Sequence, residues 1–345
     1  MMTTQQQQFK LIFKGRLEFN NKRSFEMAIR HWENRLETYY KTDVLFKIED
    51  IFVEDENALI LPQQVIMSTE KFWRNTTGIL SEIAQFGIVG TIGAWLVDNG
   101  NLLEEQTIEP NSEKTAVASY IHGRELVQKG ENYSEASAAL SQAISKYERH
   151  ALAYERRGYI NYKLKNYNDA LHDFDKSVGI NPNNAEPYYG RGKVRMIKNE
   201  WDAAAQDFEN TYKRSIALQP IYWLARLRRG ESLFHSKRFE EAIKEFQLFL
   251  RRPFREGDPN FQRRRRALML LGRAYVELDK LDDGLEAIDQ AMAIKAGKEL
   301  APDTEGLVTR AIAKRKAGTE AFTQDLEKAA EMGSPEATRL LAEWQ

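Results

Sequence analysis

The stretch YYGRGKVR, Tyr188 to Arg195, sets two glycines beside a lysine and two arginines. That composition suits a loop whose backbone N–H groups cradle phosphate. A P-loop needs GxxxxGK followed by Ser or Thr, with a buried strand before it. Here Lys193 is followed by Val194 and no strand pattern precedes it, so the glycines need another explanation. The most basic stretch is RRPFREGDPNFQRRRR. Its Arg251, Arg252, Arg263, Arg264, Arg265 and Arg266 offer a patch for RNA, phosphate or an acidic protein face. They equally suit a solvated turn and helix face paired with Glu240, Glu241 and Asp258, the reading a nearly neutral chain favours. His31, His122, His150, His172 and His235 are dispersed, without a close metal-binding pair. The acids of FKIEDIFVEDENA lack the DxDxDG calcium pattern. No GxSxG, HExxH or dinucleotide fingerprint occurs. With no cysteine, disulfides, thiolate metal sites and a cysteine nucleophile are excluded. We therefore expect no catalytic residue, metal or cofactor.

The elements that carry these residues change character near residue 110. Phe9, Leu11, Phe13, Leu17 and Phe19 alternate as in a strand. Phe25, Ala28, Ile29, Trp32 and Leu36 recur at helical spacing. DVLFKIEDIFV reads as a second strand, and ALILPQQVIM, interrupted by Pro62, as a third. EKFWRNTTGILSEIAQF reads as a helix after Ser68 and Thr69, and VGTIGAWLV as a strand. DNGN is a hairpin signal before a last strand, LLEEQTIE. The order β-α-β-β-α-β plus one strand predicts an α+β domain over residues 1–110. Its simplest form is the ferredoxin-like plan, with both helices on one face of one sheet. The outward positions of the first strand, Lys10, Lys14, Arg16 and Glu18, read as a solvated face.

Beyond residue 110 the sequence repeats itself. ALAYERRGYINYKLKNYNDALHDFDKSVGINPNN begins at Ala151, and AEPYYGRGKVRMIKNEWDAAAQDFENTYKR begins 34 residues later at Ala185. Tyr154 aligns with Tyr188, Gly158 with Gly192, Tyr167 with Trp201, Ala170 with Ala204 and Phe174 with Phe208. Further copies carry Gly123, Tyr133, Ala136 and Ala143; Gly230, Phe239, Ala242 and Phe246; and Gly272, Leu281, Ile288 and Ala291. TRAIAKRKAGTEAFTQDLEKAAEMG is a shortened unit, and SPEATRLLAEW reads as a closing helix capped by Ser334. Over residues 115–345 the chain resembles the tetratricopeptide repeat family, whose period is about 34 residues. Gly192 then falls in the first helix of a repeat, where the second helix crosses closely.

The resemblance implies an all-α superhelix of five to six hairpins whose first helices line a concave wall. Its exposed face would carry Tyr120, Arg124, Glu155, Tyr159, Tyr162, Lys163, Tyr189, Lys193 and Met196. Leu227, Glu231, Phe234, Met269 and Arg273 follow in the fourth and fifth units. The same tyrosines also fit ordinary packing between repeats, since core and groove positions interleave on a helix. Relatives that grip a terminal carboxylate use lysine and asparagine where this chain has Tyr120, Arg124, Arg156 and Tyr159, so that clamp is incomplete. The resemblance implies a non-enzymatic scaffold or adaptor that holds a protein or peptide, acidic or extended, in a basic and aromatic groove. Residues 1–110 are about five units negative and the remainder about four positive. The first domain is expected to form a homodimer or to dock a second partner. Two further readings stand beside this: association with nucleic acid through Arg251–Arg266, and a regulatory subunit of a signalling or defence system. The N-terminus lacks a secretory signal and no window holds ~18 uninterrupted apolar residues, so a cytoplasmic protein without a membrane span is expected.

Overall fold

The computed structural model describes residues 7–130, 132–294 and 303–344. The reading made of the first six residues lies outside them. Residues 1–182 form one compact unit and 183–345 another. The change in sequence character near residue 110 therefore falls inside the first unit, where strands and repeat helices share contacts.

In the first unit the alternating apolar run builds β1 (Phe9–Glu18), followed by α1 (Lys22–Arg35), α2 (Ile48–Ile51), β2 (Phe52–Val53), β3 (Ala58–Ser68), α3 (Glu70–Ala84), β4 (Val89–Asp98) and β5 (Asn101–Ile108). Asn21 caps α1 by accepting the backbone N–H of Ser24. The sheet runs β2-β3-β1-β4-β5 and is antiparallel throughout. Its first four strands follow the ferredoxin-like order, with β5 added outside β4. The β4–β5 hairpin turns through Asn99 and Gly100 at φ 47° and 81°, a type I′ turn of the kind DNGN favours. Phe25, Trp32, Trp73 and Ile83 of α1 and α3 join Phe13 and Ile92 of the sheet in one cluster, so both helices cover the same face.

Two expectations need correction here. The segment read as the second strand is a strand only at Phe52–Val53. Residues 44–48 leave the sheet because Val44, Leu45 and Ile48 pack onto the helix-side core. The side chains of Thr76 and Asn75 hold that excursion, by hydrogen bonds with the N–H of Leu45 (3.1 Å) and the carbonyl of Asp43 (3.1 Å). On the outward side of β1 only Lys10 is well exposed; Glu18 is buried and accepts the Tyr147 hydroxyl at 2.8 Å.

The same unit continues with α4 (Thr115–Lys129), α5 (Tyr133–Lys146), α6 (Ala151–Lys163) and α7 (Tyr167–Ile180). Ile88 and Val89 pack against Ala116 and Val117, and the Lys114 ammonium donates to the carbonyls of Phe86 and Gly87. The sheet and the first helices are thus joined by core and by hydrogen bonds.

The second unit holds α8 (Glu186–Ile197), α9 (Trp201–Lys213), α10 (Pro220–His235), α11 (Phe239–Arg251), α12 (Arg264–Glu277), α13 (Leu281–Ala293), α14 (Asp303–Lys316), α15 (Phe322–Glu331) and α16 (Pro335–Trp344). Ser334 caps α16 through the N–H of Ala337, as its sequence suggests. Each successive pair is a hairpin whose apolar side faces its neighbours, which is why such units must stack. Among the described residues no helix is long and apolar enough to cross a membrane.

Candidate protein-binding surface

Within a hairpin, one small residue sets how closely its two helices meet. A Cβ on Gly158 would stand 2.9 Å from the Phe174 ring, and on Gly192 2.9 Å from the Phe208 ring. On Gly230 it would stand 2.6 Å from the Phe246 ring. In YYGRGKVR, then, the second glycine is a packing position, as the repeat register requires. Beside each of these contacts sits an ion pair that the sequence reading missed. Arg157 binds Asp173 through two nitrogens at 2.7 and 2.9 Å, and Arg191 binds Asp207 at 2.7 and 3.0 Å. Arg229 meets Glu245 at 2.6 Å; a further pair, Arg310 with Asp325, joins α14 and α15 at a spacing of fifteen. The carboxylates are nearly buried, so the guanidinium is what makes their burial tolerable. A signal was present: arginine precedes the small residue, and an acid precedes the aromatic sixteen residues on.

The first-helix residues fall into three kinds. Some are buried and cannot form an open wall. Tyr120 packs on His150 with ring centroids 4.9 Å apart, and burial pushes its hydroxyl up to about 12. Phe234 lies edge-on to Phe239 at 5.4 Å, and Glu155, Leu227, Glu231 and Met269 are also buried. These six were expected on an exposed wall and are instead buried, Glu231 against Arg228 and Arg266 and Phe234 against Arg273. Others are ion-paired and partly exposed: Arg124 with Glu109, and Arg273 with Glu305. The rest are half-buried or exposed, as cation–aromatic pairs or beside them. Lys163 lies 5.8 Å from the Tyr159 ring centre, Tyr162 lies beside Tyr167, and Lys193 lies 5.3 Å from the Tyr189 ring centre. Met196 packs beside Tyr189 and Phe208.

In the second unit these residues form a continuous feature. From α10, Arg228 and Glu231 pair at 2.6 Å, and Arg266 of α12 reaches the other oxygen of Glu231 at 2.6 Å. Burial alone would raise the Glu231 carboxyl; Arg228 and Arg266 outweigh that and hold it below the usual range. Arg273 stands over the Phe234 ring at 5.1 Å and reaches Glu305 of α14. Lys193, Arg228, Arg266 and Arg273 thus lie along successive first helices with two carboxylates, Glu231 and Glu305, between them. Arg228 and Arg266 were not among the residues read as wall.

The arginine run does not make one patch. Arg265 is fully buried and paired with Asp303, and Arg266 is committed to Glu231. Arg264 donates to the carbonyls of Leu250 and Arg252, satisfying the end of α11, and Arg263 turns back to the carbonyl of Pro259. Arg252 stacks on Trp223 at 5.7 Å, while Arg251 is exposed. Helical periodicity turns consecutive arginines to different faces, which is the reason. The histidines are likewise separate: His31 pairs with Glu82, His122 with Glu135, His235 stacks on Trp201, His172 is exposed and His150 is buried. Among the described residues no group of three His, Asp or Glu is placed to hold a metal ion.

Comparison with known proteins identifies two matches to tetratricopeptide repeat family models, over residues 151–184 and 189–260. Hsc70-interacting proteins 1 and 2 of Drosophila melanogaster are each 28% identical over 120 residues, 35% of this chain and 30% of theirs. The match thus spans about a third of those relatives' length. Human tetratricopeptide repeat protein 13 is 28% identical over 145 residues, 40% of this chain and 16% of its own. A solved structure from the functional characterization of Pseudomonas aeruginosa pilF superposes with TM-score 0.51 at 15% identity, covering 66% of this chain and 97% of that one. Its likeness supports the helical-repeat fold.

Proposed function

Because the helical region of this chain belongs to the tetratricopeptide repeat family, we propose that the protein is a non-enzymatic scaffold that holds a partner protein on its first-helix surface. Proteins of this family are generally protein-interaction scaffolds. The observation that carries the reading is the cation-rich row Lys193, Arg228, Arg266 and Arg273, set around Glu231 and Glu305 beside the aromatic Tyr189. Arginine and tyrosine contribute large contact area at small entropic cost, and surplus positive charge steers and selects acidic segments. The partner is thus a protein segment rich in Asp and Glu. The departures at Tyr120 and Tyr159 from the terminal-carboxylate clamp mean that the segment need not end at the site. The sequence similarity to Hsc70-interacting proteins agrees with a protein rather than a nucleic acid as ligand. The sheet domain supplies self-association or a second docking surface, and the compartment is the cytoplasm.

The test is a comparison of proteins co-purified with the wild-type chain and with Lys193→Glu/Arg273→Glu, identified by mass spectrometry. Both positions are partly exposed, so the variant is expected to fold. The reading predicts that acidic partners are lost from the variant by tenfold or more. Equal recovery on both would contradict it.

A further inference from the structure

One edge of the sheet is barely covered. β2 pairs with β3 only through Phe52 with Leu59 and Val53 with Ala58. From Ile60 to Ser68 the outer edge of β3 has no strand partner among the described residues. That edge carries no charge and is accessible: Val65 is 50% and Met67 62% exposed, with Gln63 and Gln64 exposed beside them. Natural proteins guard such edges with lysine or other charge. Here residues 57–69 contain no charged side chain, and Pro62 is the only guard. The opposite edge, β5, is different, since Glu104 and Glu105 lie near its middle and would repel a second copy.

We propose that β3 pairs antiparallel with β3 of a second copy of this chain, joining two five-stranded sheets into one. This rests on the self-association reading above and assigns it a surface. The occupant follows from charge: a strand without charge meets its own copy without like-charge repulsion. The register follows from the pleat. Opposed residues in an antiparallel pair point to the same face, so the two-fold axis must pass through a residue rather than between two. An axis at Val65 places Val65 against its copy and Gln63 against Met67, and it keeps Pro62 near the end of the paired stretch. Val65 already lies beside Ile12, and Ile12 beside Trp95, on the helix-free face. Ile12 and Trp95 are each 5% exposed. The pairing would join two such rows into one apolar band.

The experiment measures the mass of the full chain in solution by light scattering, for the wild type and for Val65→Lys. Disulfide trapping of Val65→Cys accompanies it; the chain has no cysteine of its own, so any cross-link reports the introduced pair. Leu103→Cys, exposed on β5, is the control. We expect a wild-type dimer, a monomer for Val65→Lys with an unchanged circular dichroism spectrum, and oxidation to a covalent dimer for Val65→Cys but not for Leu103→Cys. A monomeric wild type would overturn self-association altogether. A dimer that survives Val65→Lys would overturn the β3 edge while leaving self-association intact. A Val65→Lys monomer without the Val65→Cys cross-link would overturn the register.

Discussion

Burial brings the His150 imidazole down to about 4. Its Nδ1 accepts the N–H of Ala153 and starts α6, and its ring packs on Tyr120. Unfolded, it would titrate near 6.5, so between about pH 6.5 and 4 the unfolded chain holds a proton that the folded chain does not. Stability from the neutral ring is present above that window and is lost as pH falls through it, at ~1.4 kcal/mol per pH unit. Between pH 7 and pH 5 the first unit should lose about 2 kcal/mol in urea unfolding from this group. His150→Asn retains a capping acceptor without a titrating ring and should flatten that slope; an unchanged slope would refute the assignment. His150 was legible in the sequence only as a dispersed histidine, because nothing local says that Tyr120 and the sheet strand after Gly87 close over it. The Arg191–Asp207 pair becomes legible only once the repeat register is set, because its partners lie sixteen residues apart on two helices and each alone reads as surface charge.

At the scale of the element, the hairpin corners repeat as strictly as the glycines. Lys165, Asn199, Lys237 and Asp279 take positive φ of 64°, 58°, 60° and 56°. Each lies seven residues after the small residue of its first helix, where the first repeat has Gly130 at φ 70°. A side chain there costs roughly 1 kcal/mol that glycine avoids, less the entropy glycine loses on folding. Lys237→Gly should therefore raise stability by about 0.5 kcal/mol, whereas Lys244→Gly within α11 should lower it by ~1 kcal/mol. Denaturant midpoints moving the same way for both would contradict the corner assignment. The repeat register was readable because Gly158, Gly192 and Gly230 and their aromatic partners are chemically distinctive. The corners were not, since lysine and aspartate do not advertise a left-handed backbone. The strand β2 was misjudged in extent because its apolar run serves the core from a loop, and periodicity alone does not separate the two.

Across the whole molecule, the proposed labour divides between an uncharged strand edge in the first unit and a cation-rich first-helix face in the second. The repeat family and the order of the sheet were legible from period and pattern. Which first-helix residues remain accessible was not, because one position in the repeat frame is open in one hairpin and filled in another: Lys193 is partly exposed, and Glu231 is buried. The proposed function requires that partners bind on the first helices. Site-specific photo-cross-linking tests it most directly, with benzoylphenylalanine placed at Lys193 on α8 or at the exposed Leu248 on the second helix α11. Covalent capture of the acidic partner is expected from position 193, with none from position 248. Capture from 248 alone would contradict it.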